Sequence, residues 1–151
     1  MTWNLHRSFG TSRGQSCAEL AFSVPFLMVL LLVVVETGRI CLIAISLSAA
    51  ARAGVQYGAQ NLTTVTNNSG MQSAAKADAA NLAGFVATST HYCQCSNGAA
   101  STCLSTDCSS NHRLTYVQVN TSATYSPWIS WPGVPVAVTM TGQAIMRVAG
   151  Q

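Results

Sequence analysis

The chain has 151 residues, of which 49% are hydrophobic and only 7% charged, and its net charge is +3. That balance is too apolar for a disordered protein, and the length is too short for several sizeable domains. The seven Lys and Arg residues are scattered, with no basic run and no interleaved aromatic stripe, so the composition excludes an electrostatic nucleic-acid binder and no nucleic-acid partner is expected.

The stretch Met1–Gly14 carries Arg7 and Arg13 and no acid, as expected of a segment kept in the cytoplasm. It leads through Gly14-Gln15-Ser16-Cys17-Ala18-Glu19 into the apolar run Leu20–Val35, whose 16 residues fall just short of the roughly 17 to 25 that cross a bilayer. A span must therefore borrow residues on its N-terminal side, reaching about 18–36 and taking in Glu19. A carboxylate at the edge of hydrocarbon is costly, and by default it marks a function with a specific partner. A cut between Gly14 and Gln15 would create such a partner, the new α-amine of a neighbouring subunit, which is charged near neutral pH. Cys17 does not read as a lipoprotein cysteine, because it precedes the apolar run and Gly14 stands where a leucine is needed.

Helical periodicity continues past the span. Ile40, Ile43, Leu47, Ala51, Gly54 and Gly58 recur at spacings of three and four, while Arg39, Ser46, Arg52, Gln56 and Gln60 lie elsewhere. One helix from Gln15 to Gln60 would be about 70 Å long at 1.5 Å per residue, about twice a bilayer's thickness. Small residues allow close helix packing, and the distal half of this stripe is read as holding the domain that follows. Pro25 removes one hydrogen bond within the membrane segment and is a candidate kink. The turn formers of Asn61–Gly70 end the helix, and Ser69 with Gln72 reads as a capping box opening a second helix. Met71, Ala75, Ala79, Leu82 and Val86 share its apolar face, and Lys76, Asp78 and Asn81 its wet one.

Beyond Thr88 the period falls to two. Val117, Val119, Thr121, Ala123 and Tyr125 alternate with polar residues, as do Val134, Val136, Val138, Met140, Ala144, Met146 and Val148, with Gly142 read as a bulge or bend. Between these strands lie Trp128 and Trp131, read as packing over the sheet edge or as an exposed contact for a partner. Cys93 and Cys95 point to one face of a strand, toward a Gly/Ser/Thr/Asn-rich loop that carries Cys103 and Cys108. Two disulfides between strand and loop follow, in either of two connectivities, since Cys93–Cys95 pairing is geometrically poor. A four-thiolate zinc site fits the spacing less well. Four cysteines well beyond the span also place the following domain in an oxidising compartment, which the arginine count alone does not, because Arg39 and Arg52 flank the other side.

Taken together, Arg13-Gly14, Glu19, Glu36-Thr37-Gly38-Arg39 and Ala50-Ala51-Arg52-Ala53-Gly54 resemble the TadE family of pseudopilins, small components of the tight-adherence (Flp) type IV pilus machinery. Tyr92-Cys93-Gln94-Cys95 and a C-terminal pair of strands fit the same pattern, whereas Leu20 stands where an aromatic residue usually follows the glutamate. The resemblance implies cleavage between Gly14 and Gln15 by a prepilin peptidase, subunit pairing through Glu19, and other pilins, pseudopilins and assembly proteins of the inner membrane as partners. It implies a structural role in an inner-membrane, single-pass protein with a cytoplasmic N-terminus and a periplasmic head, later present in the pilus or at the cell surface.

The expected fold is α+β: a leader at 1–14, a long helix at 15–62 with its span, and a head at 63–151 with a short helix, a small antiparallel sheet and a disulfide-stapled loop. No cofactor, metal or catalytic residue is expected. Glu19, Glu36, Asp78 and Asp107 lie far apart, no nucleophile motif accompanies His91 or His112, and no phosphate-cradling glycine loop occurs. The rival reading is a secreted, disulfide-containing binding module released by signal peptidase after Ala51, at the small residues Ser48-Ala49-Ala50-Ala51. Its apolar stretch, Leu20–Leu47 with Glu36 and Arg39 inside, is far longer than an h-region of roughly 7 to 15 residues. An enzyme, such as a metal-dependent hydrolase using His91 and the cysteines, is a distant third.

Overall fold

The computed structural model describes residues 13–104, 106–108, 111–128, 133 and 135–148, with the side chains of 13–16 outside the described set. Its elements are helix α1 (Arg13–Gly58), a short 3-10 turn (Thr64–Thr66), helix α2 (Asn68–Asp78), and strands β1 (Val86–Cys95), β2 (Ala100–Ser101), β3 (Arg113–Tyr125) and β4 (Val138–Arg147). The α+β class expected from the sequence is the class observed. The chain divides into two compact units, Met1–Thr37 and Gly38–Gln151.

In the first unit, the described residues are the N-terminal part of α1. The helix is assigned without interruption through Pro25. Its apolar side chains, among them Phe22, Phe26, Leu27 and Val34, are exposed on every face, the pattern of a helix made for a nonaqueous surround.

The second unit begins inside α1 and is built around an antiparallel sheet of order β2-β1-β3-β4. Strand β3 lies inside the sheet, and the alternation of buried and half-buried residues from Thr115 to Ala123 follows from one face being covered. Leu47, Ala50, Ala51 and Val55 of α1 are buried, as are Val117 and Val119 of β3 and Val148 beyond β4. Val65, Met71 and Ala75 complete the core. Each large apolar side chain buried there contributes about 1.5 to 3 kcal/mol. The distal half of the small-residue stripe is therefore spent on the head's own packing.

Four expectations are corrected. Helix α1 ends at Gly58, and the turn after it is organised by Asn61, whose Oδ1 accepts the backbone N–H groups of Thr63 and Thr64, each at 2.9 Å. Helix α2 opens at Asn67 instead of Ser69: the Asn67 Oδ1 accepts from Gly70 N at 2.9 Å and takes the Ser69 hydroxyl at 3.0 Å, so the serine serves the cap and is not itself one. Helix α2 stops at Asp78, short of Leu82; Gly84 has φ +66, and Val86 is recruited into β1, where it faces Ser122. Gly142 is neither bulge nor bend, since β3 and β4 keep one register from Tyr125↔Val138 to Tyr116↔Arg147. A Cβ at 142 would meet the Leu47 carbonyl carbon and oxygen at 2.8 and 2.9 Å, so the glycine is there to let helix and sheet backbones touch.

Candidate functional site

Among the described residues one helix is long and apolar enough to cross a membrane: Cys17–Gly58 contains an 18-residue window of mean hydropathy 2.5, none of it buried. Glu19 lies at the start of that apolar segment with its side chain exposed. Gly14 and Gln15 fall in the first turn of α1, and their side chains, like residues 1–12, lie outside the described residues.

The helix is held to the sheet at Leu47. The buried Thr121 hydroxyl donates to the Leu47 carbonyl at 2.9 Å, and Gly142 admits that carbonyl from the next strand. Further along, a Cβ at Gly54 would stand 3.1 Å from the Met71 carbonyl and from a Val119 methyl, so the same close approach continues for two helical turns. Neither Thr121 nor Gly142 was singled out as a contact from sequence; the signal available was a glycine interrupting an otherwise regular alternation.

The cysteines form Cys93–Cys103 and Cys95–Cys108, which selects one of the two connectivities left open. Cys17 and Cys41 are free and exposed. Inside the stapled loop, Asp107 accepts from the Thr102 hydroxyl and the Thr102 N–H, each at 2.7 Å, and from the Ser101 hydroxyl at 3.0 Å. The hydrogen bonds from Thr102 hold the Asp107 carboxyl below the usual carboxylate range, with Ser101 adding to the effect. The Arg113 guanidinium donates to the Cys103 carbonyl at 2.6 Å, fixing a non-glycine residue with a positive φ of 71. No group of three or more potential metal-binding side chains occurs among the described residues. His91 and His112 are exposed.

Trp128 does not pack over the sheet edge. It is 74% exposed, with the Arg39 guanidinium carbon 4.1 Å from its ring centroid and 5.4 Å from that of Tyr125. Trp131 lies outside the described residues. The pairing joins positions 89 apart in sequence, and only the cation just past an apolar run hinted at it.

These features define a class: a small α+β head with two disulfides, preceded by one helix able to span a membrane. Within that class, residues 14–56 match the family model described as TadE-like protein, the family that the sequence motifs resemble. The matched segment begins at Gly14 and takes in Glu19, Glu36–Arg39 and Ala50–Gly54. No curated protein matches the chain, and no solved structure does.

Proposed function

We propose that this chain is a minor pilin or pseudopilin, a structural or assembly subunit of a tight-adherence type IV pilus with no catalytic role. In this reading it sits in the bacterial inner membrane with its head in the periplasm. A prepilin peptidase cuts between Gly14 and Gln15, and the helix then moves laterally from lipid into a filament or assembly complex with other pilins. Glu19 pairs with the new amine of a neighbour, so two charges are compensated together; breaking such a buried pair on one side costs about 3 to 5 kcal/mol. The observation that carries the reading is that the family match starts at Gly14 and covers the carboxylate and the apolar run as one unit.

The secreted-module alternative fits the head poorly. Ala51 is completely buried, and release after it would remove Leu47, whose carbonyl the Thr121 hydroxyl holds.

The test is the N-terminus of the mature protein after co-expression with a prepilin peptidase. The expected result is a chain beginning at Gln15 and blocked by Gly14→Val, with membrane insertion intact because the apolar run is unchanged. A mature chain beginning near Arg52, or one unaffected by the peptidase, would overturn the proposal.

A further inference from the structure

We infer that Arg39 and Trp128, backed by the buried Tyr125 ring, form an interfacial anchor that seats the head in the phosphate and glycerol-ester layer of the bilayer; the inference rests on the membrane-span reading of Leu20–Val35. Arg39 follows Val35 by four residues, about 6 Å along a helix. The headgroup region is about 5 to 7 Å deep on each side of the hydrocarbon, so a guanidinium at that position stands among lipid phosphates. The Trp128 ring, 4.1 Å from that guanidinium, is carried to the same depth although it comes from the connection after β3.

The chemistry of the cluster suits that layer better than water. An indole left 74% exposed presents a large apolar area with a single N–H donor, and Trp concentrates where one side of the ring is apolar and the other wet. Beside Arg39 and Tyr125 runs a groove of about 360 Å³, lined by Ile43 and Leu82 on one hand and by Asn81, Thr124 and Ser126 on the other. None of its described lining residues is acidic. Apolar walls with hydroxyl and amide rims match a phospholipid's ester region, which offers acceptors and short stretches of chain. Glu36 stands three positions before Arg39 in the sequence, so the local formal charge is near zero and the anchor does not depend on anionic lipid.

The experiment uses the full-length chain in phosphatidylcholine vesicles, with Trp3→Phe and Trp131→Phe leaving Trp128 as the sole indole. Flotation reports insertion, and lipid-borne and aqueous quenchers report on Trp128. The expected result is flotation, blue-shifted emission, quenching by lipids labelled near the headgroup more than by deeply labelled ones, and protection from iodide. Arg39→Ala should raise iodide access about twofold to fivefold, as loss of an exposed cation–π contact would. Flotation with Trp128 open to iodide and untouched by labelled lipid would overturn this inference alone. Shielding from both quenchers would also overturn it, because protein would then be the cover. A chain that fails to float would overturn the span reading and this inference with it.

Discussion

Thr121 on β3 and Leu47 on α1 are joined by a buried hydrogen bond of 2.9 Å across 74 residues of sequence. The contact needs a donor on the sheet and a bare backbone at Gly142 beside it. Thr121→Val keeps the shape and removes the donor, and should cost about 0.5 to 1.5 kcal/mol. Gly142→Ala forces backbone apart and should cost about 1 to 3 kcal/mol. Because both act on the Leu47 carbonyl, the double variant should lose less than the sum. Denaturant unfolding of the solubilised chain measures all three, and a neutral Gly142→Ala would refute the account of that glycine.

The disulfide pairing makes a sharper statement. Peptide mapping without reduction should recover Cys93 linked to Cys103 and Cys95 to Cys108, and not the crossed alternative. The closed rings are short, with sequence separations of 10 and 13, so in the chain-entropy model each contributes about 2 to 3 kcal/mol. Replacing Cys95 and Cys108 together by serine should lower stability by that amount while leaving the other bridge in place.

Asp107 gives the stapled loop a pH dependence. Hydrogen bonds from Thr102, then Ser101, lower its folded-state pKa below the unfolded value, so the protein favours the ionised form. The contribution is therefore complete above the unfolded carboxylate value and is lost as pH falls through the lower, folded one. The Thr102 amide should exchange faster on acidification below about pH 4, after correction for the intrinsic exchange rate. Asp107→Asn should abolish that acid dependence. An unchanged profile in this variant would remove Asp107 as its source.

Glu19 separates a machine subunit from a passive anchor. An anchor should gain from Glu19→Leu, since a charge at mid-membrane costs roughly 2.5 to 3.5 kcal/mol and somewhat less near the interface. A pseudopilin should accumulate normally with this change and fail to support pilus assembly, with Glu19→Gln nearly as defective. Pilus counts in a complemented deletion strain decide it, and wild-type numbers with Glu19→Leu would show that the carboxylate has no part in assembly.

Periodicity made α1, β3 and β4 legible, because each has one covered face or one solvent throughout, and that environment is written at a fixed spacing. The expected cap of α2 at Ser69 fails because Asn67, two residues earlier, is an equally good cap former, and proximity in sequence does not say which oxygen accepts the first free N–H groups. The short strand β2 left no trace, since its two residues pair through backbone at Cys93↔Ser101 and Gln94↔Ala100. The Arg39–Trp128 and Leu47–Thr121 contacts were illegible for a different reason: each depends on the order of strands, which residue spacing does not encode. The four cysteines were legible as a group because two of them share a strand face, while their partners depended on how the loop returns.

The unequal reach of the head's ties sets an order of assembly. Both staples close within the segment from Cys93 to Cys108, so under oxidising conditions they need neither β3 nor β4 in order to form. The Leu47 carbonyl must wait for β3, and its close seat at Gly142 must wait for β4 as well. Until β3 arrives, the stripe from Leu47 to Ala59 lacks the Val117 and Val119 face that covers Gly54 and Gly58, and until β4 arrives its Leu47 end is not fully seated. During biogenesis that interval is when the nascent helix is open to capture by a holding factor, by the bilayer surface or by another helix of its kind.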